Sequence, residues 1–115
     1  MSRDYRPFLA DIRLSCERII RYTNGFTYDQ FLADEKTYDA VLRHLAIIGE
    51  AAKQIPPDLR SKYPSVEWRK IARFRDIVIH HYFAIDNAIV WDIVENHVPQ
   101  LLGQLTASDA QDEIA

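Results

Sequence analysis

Cysteine is almost missing from this chain of 115 residues: Cys16 is the only one, which excludes an internal disulfide framework and a cysteine-based zinc cluster. Long apolar runs are missing too, and none approaches the roughly 18 residues of a membrane-crossing helix. The start MSRDYRPFLADIR lacks the apolar core of a signal peptide. Positive charge is not in excess, since 14 Lys and Arg face 17 Asp and Glu for a net charge of −3. That balance argues against a general nucleic-acid coat. These absences predict a soluble cytoplasmic protein with no membrane association. Its 48% apolar and 27% charged residues suit one modest folded core.

The charge that is present is unevenly spread. Lys53, Arg60, Lys62, Arg69, Lys70, Arg73 and Arg75 face only Asp58 and Glu67 over residues 53–75. That window carries +5 against −3 for the whole chain, so the remainder carries −8. A local basic field on an acidic body suits phosphate binding at one place, with Arg69, Lys70 and Arg73 as candidates. A merely solvated face of Lys and Arg is the alternative.

Apolar spacing gives the elements. Phe8, Leu9, Ile12, Cys16, Ile19 and Ile20 predict an amphipathic helix over about 4–22, closed by Gly25 in TNG. Thr27 and Gln30 form a capping-box pattern for a short helix. A long helix over about 35–54 turns Tyr38, Val41, Leu42, Leu45, Ile48 and Ala52 inward. Near its end, IGEAA allows another backbone to approach closely at Gly49, while Glu50 could face the bundle or solvent. IPPDLRSKYPSVEW holds three prolines and must be a loop, with room for one turn after Pro57. Helix resumes from Trp68 to about Phe83; DIVIHHYF is β-rich, but a solitary strand has no partner. Asp86 or a neighbour caps a last helix ending near Leu105, with Ile89, Val90, Ile93, Val94, Val98 and Leu101 inward. Trp68 and Trp91 are read as core. The expected fold is an all-α antiparallel bundle of four to five helices over residues 1–105, followed by a polar, acidic, disordered tail over 106–115.

Chemistry concentrates in RFRDIVIHHYF, Arg73 to Phe83. Ile77, Val78 and Ile79 leave hardly any polar side on that helix, so a second subunit would supply the missing burial. Asp76 and His80 are four apart, hence neighbours on one face. Arg75 and Tyr82 nearly superimpose two turns apart, whereas Arg75 and His80 differ by about 140° at ~100° per residue. A site drawing on both is easier to build where two copies of the helix meet. Histidine can take and return a proton, and arginine offers a permanent cationic fork to phosphate. Together they suffice for metal-free RNA cleavage by the 2′-hydroxyl, with His80 as acid or base, Arg75 on the phosphate and Tyr82 positioning it. The same residues would also fit a plain core helix with satisfied polar groups. His80 and His81 point about 100° apart and cannot chelate one metal comfortably, so neither metal nor cofactor is expected. His44 and His97 stand alone in the sequence and are read as structural or surface residues.

Four blocks in order carry a family resemblance: AVLRHLAIIGEAAKQIP, YPSVEWRKIARF, RDIVIHHY with its Arg-x4-His-x-Tyr spacing, and VWDIVENHVPQLL. The chain resembles HEPN-domain ribonuclease toxins of the HepT type over about residues 5–105. That resemblance implies a helical bundle that dimerises across its motif helices, and a metal-independent endoribonuclease made of Arg75 and His80 with Asp76 and Tyr82 in support. It implies the toxin half of a type VII-like toxin–antitoxin system, in which an MntA-like minimal nucleotidyltransferase transfers AMP to Tyr82. A non-catalytic HEPN partner that presents Tyr82 or a nucleotide to such an enzyme is the alternative.

Overall fold

A computed structural model describes residues 5–81 and 86–114, with side chains for 5–79 and 86–107. Every regular element among them is helical: α1 (Arg6–Thr23), α2 (Tyr28–Ala33), α3 (Glu35–Lys53), α4 (Pro57–Arg60), α5 (Trp68–Ala72), α6 (Phe74–His81), α7 (Asn87–Asp92), a π turn (Ile93–His97) and α8 (Val98–Ile114). The all-α bundle is therefore as expected, and Ile77–Ile79 lie within α6 rather than in a strand.

Local chemistry sets many of the ends. Gly25, at φ +79°, takes the left-handed conformation just past α1, and Phe26 N–H reaches back to the Thr23 carbonyl at 2.9 Å. Thr27 and Gln30 close the capping box reciprocally: Thr27 N–H donates to Gln30 Oε1 at 2.9 Å, and Gln30 N–H to Thr27 Oγ1 at 3.2 Å. Asp34 caps α3, and Asp86 caps α7 by accepting from the Ala88 N–H at 3.0 Å. The single turn after Pro56 is α4.

Two departures from the apolar pattern have physical causes. The expected continuous helix from Trp68 is broken at Arg73, whose N–H bonds the Lys70 carbonyl three residues back at 3.2 Å. That tightening turns Phe74 into the core, where it is 1% exposed. In the last helix, Pro99 has no N–H for the Glu95 carbonyl and would crowd it. The wide turn Ile93–His97 ends two residues before it and lets the rod continue from α7 into α8. Ile89, expected inside, is 48% exposed, and the buried stripe runs through Val90, Ile93, Val94, Val98, Leu101 and Leu105. The helix continues to Ile114, past the end near Leu105 that the spacing predicts, through residues with neither Pro nor Gly after Gly103.

Ser15 meets His44, and Tyr22 lies beside Lys36 and Thr37, so α1 and α3 run antiparallel. α3 is central: it packs on α1 along one side and on α5 and α6 along another, while α8 closes over α1. One cluster joins Ile12, Cys16 and Ile19 of α1 to Val41, Leu45, Ile48 and Ala52 of α3, Phe74 and Val78 of α6, and the buried stripe of the last helix. Each large apolar side chain so buried contributes about 1.5–3 kcal/mol. Trp68 is core, and Trp91 packs partly buried on Phe31 with ring centroids 5.1 Å apart. Among the described residues no helix is long and apolar enough to cross a membrane.

Candidate functional site

The α3–α6 junction begins with an absent side chain. A Cβ on Gly49 would lie 2.5 Å from the Arg75 amide nitrogen and 3.1 Å from the Ala72 carbonyl oxygen. Only glycine lets the two backbones come this near, so IGEAA acts as the sequence anticipates. α6 is thereby held with Arg75 and Asp76 directly against the last two turns of α3.

Two charge pairs cross this junction. Arg75 Nε lies 2.9 Å from Glu50 Oε2, with the side chains 44% and 53% exposed. Lys53 Nζ lies 3.6 Å from Asp76 Oδ1. Glu50, ambiguous in the sequence, thus faces α6, and the signal for it was its place one residue after the glycine of close approach. Pairs this exposed contribute only about 0–1 kcal/mol to stability; their consequence is orientation. Contact through Nε engages the inner side of the guanidinium, while the side chain as a whole stays 44% exposed. The backbone of His80 continues α6 five residues beyond Arg75. The His80 side chain and all of Tyr82 lie outside the described residues, as does the expected contact of Asp76 with His80.

The basic window is thinner in space than in sequence. Arg60 is spent on architecture: its Nε donates to the Ile55 carbonyl at 2.8 Å and Nη2 to the Ala52 carbonyl at 3.1 Å, closing the end of α3. Its guanidinium also lies 5.9 Å from the Trp68 ring centroid. Lys53 and Arg75 face carboxylates, and Lys70 lies 3.8 Å from Glu67. Arg69, Lys70 and Arg73 are exposed and, with Glu67 and Trp68, line an open groove on α5, just ahead of α6 in the chain.

The remaining described histidines lie elsewhere. His44 is buried, and its Nδ1 sits 3.0 Å from Ser15 Oγ. Burial, then the nearby Arg18 and Arg43, push its pKa below the ordinary value, which favours the neutral ring in its hydrogen bond with the Ser15 hydroxyl. His97 Nε2 lies 3.2 Å from Asp92 Oδ2 at the π turn, and Asn96 donates to the other Asp92 oxygen at 2.7 Å. Among the described residues no three His, Cys, Asp or Glu side chains converge as a metal site would require.

Comparison with known proteins identifies the family. The family model described as "Ribonuclease HepT-like" matches residues 12–107. The chain is 53% identical over 97 residues to "Putative RNase MJ0127" of Methanocaldococcus jannaschii, covering 84% of this chain and 80% of that protein. It is 41% identical over 104 residues to "Probable ribonuclease HepT" of Thermococcus cleftensis, covering 90% and 94%. It is 37% identical over 100 residues to "Putative RNase TTE0752" of Caldanaerobacter subterraneus, covering 87% and 89%. No solved structure matches.

Proposed function

Because this chain belongs to the HepT-like ribonuclease family, we propose that it is a metal-independent endoribonuclease in which Arg75 and His80 act on one scissile phosphate. The 2′-hydroxyl attacks phosphorus, the bond to the 5′-oxygen breaks, and the products are a 2′,3′-cyclic phosphate and a 5′-hydroxyl. His80 moves the proton, removing it from the 2′-oxygen or delivering it to the leaving oxygen. Arg75 stabilises the charge that builds on the phosphate. DNA has no 2′-hydroxyl and is not a substrate for this route. Asp76 orients and Tyr82 positions, and Arg69, Lys70 and Arg73 lead the strand toward α6.

The observation that carries this reading is Arg75 itself: exposed, steadied from behind by Glu50, and on the same helix as His80. Ile79, 40% exposed on that helix, supports a site formed where two copies meet, with Arg75 and His80 drawn from both. In this reading the protein is the toxin of a toxin–antitoxin pair. A minimal nucleotidyltransferase joins AMP from ATP to the Tyr82 oxygen, releasing pyrophosphate, and the added anion repels an incoming RNA phosphate.

Purified protein incubated with RNA and excess EDTA tests the chemistry, with His80→Ala as control. Cleavage by wild type that falls at least about a hundredfold in the variant supports it; equal cleavage by both overturns it. Intact mass after incubation with the nucleotidyltransferase and ATP tests the switch. An added AMP lost in Tyr82→Phe, in a protein whose unmodified form cuts no RNA, would favour the non-catalytic partner instead.

A further inference from the structure

Two consecutive residues of α3 grip the two ends of one arginine. Gly49 lets the Arg75 backbone seat at a distance no Cβ would permit, and Glu50 meets Arg75 Nε at 2.9 Å. We propose that Glu50 is a positioning residue for Arg75, holding the guanidinium in the orientation in which its outer fork meets the scissile phosphate. This deepens the ribonuclease reading and rests on it for what Arg75 does. The hold of Glu50 on Arg75 can be measured without any reaction.

Chemistry and exposure both point to positioning. An arginine free in solvent spreads over many rotamers, and a phosphate-binding one must be fixed before it can act. Both side chains are about half exposed, so the pair adds little to folding and its effect lies in geometry. Nε is the inner nitrogen, and a carboxylate there restrains the plane of the fork while the side chain stays 44% exposed. Lys53, three residues after Glu50, meets Asp76, the residue after Arg75. It places a cation beside that carboxylate, so Asp76 does not compete for Arg75 from its own helix.

A different role for Glu50 would be to occupy Arg75 and repel RNA. The two roles predict opposite results. Positioning predicts that Glu50→Ala lowers kcat on RNA by about tenfold to a hundredfold. KM stays level or falls, because an anion near the phosphate path has gone. Glu50→Gln, which removes the same charge but keeps an acceptor for Nε–H, restores most of kcat. An occupying role predicts higher activity in both variants.

The test combines steady-state kinetics with NMR of the Arg75 Nε–H, assigned by its disappearance in Arg75→Lys. The expected result is slow exchange of that proton with water in wild type and Glu50→Gln, fast exchange in Glu50→Ala, and kcat following the same order. Equal exchange in wild type and Glu50→Ala overturns the proposal, as does a kcat that is unchanged or raised in Glu50→Ala. Equal loss of kcat in Ala and Gln variants overturns it too. If wild type cuts no RNA, the ribonuclease reading fails, while the exchange comparison still decides whether Glu50 holds Arg75.

Discussion

Gly49 and Arg75 define the tightest helix crossing at the site: a methyl on Gly49 would stand 2.5 Å from the Arg75 amide nitrogen and 3.0 Å from its Cβ. The obstacle is backbone, so it cannot rotate aside. Gly49→Ala is expected to displace α6 and cost about 1–3 kcal/mol by overpacking. Thermal unfolding would show the loss, and RNA cleavage would fall with it because Arg75 moves. A Gly49→Ala protein with an unchanged melting temperature would mean the crossing is looser than described.

The buried Ser15–His44 pair links stability to pH. Burial first, then Arg18 and Arg43, hold the folded His44 pKa below the ordinary value. The unfolded chain therefore takes up a proton near pH 6.5 while folded His44 remains neutral. Stability contributed here is complete above about pH 6.5 and declines as pH falls toward the lowered folded pKa. Denaturant melts from pH 7.5 to 5 would show a steeper acid loss for wild type than for His44→Gln, the difference isolating this histidine from the other three.

Arg60 separates structural from RNA-directed charge in the basic window. Its two hydrogen bonds to the end of α3 predict that Arg60→Ala costs about 1–3 kcal/mol, with Arg60→Lys only a partial rescue because a point charge cannot span both carbonyls. The salt dependence of RNA binding should stay the same in that variant. Arg69→Ala or Arg73→Ala should leave the melting temperature nearly unchanged and flatten the salt dependence by about 0.7 for each RNA phosphate no longer neutralised.

Cys16 is fully buried and its thiol is pushed up to about 12, mainly by burial and then by Glu17. Almost no thiolate exists at neutral pH, so iodoacetamide should leave the folded protein unmodified and alkylate it fully in denaturant. Rapid labelling of native protein at pH 7 would show that α1 opens from the core.

What was legible in the sequence was mostly local. The capping box at Thr27, the Asp86 cap and the glycine after α1 rest on residues within three positions of each other. Gly49 was legible as a point of close approach, but what approaches it lies 26 residues on and could not be read from spacing. A separation of 25 residues likewise hid the partner of Glu50. Asp76 gained a neighbour that spacing could not supply, Lys53, 23 residues earlier on another helix. The break at Arg73 has neither Gly nor Pro to announce it, and it accompanies the burial of Phe74 in the core. The π turn did have a signal in Pro99, which an otherwise regular apolar stripe obscured.

The most direct test of the account is cleavage of a defined RNA in EDTA by wild type, Arg75→Ala and His80→Ala, with folding checked by circular dichroism. Wild type is expected to yield 2′,3′-cyclic phosphate ends, and each folded variant to be slower by at least about a hundredfold. Cleavage that persists equally in both variants, or that requires an added divalent metal, would contradict it.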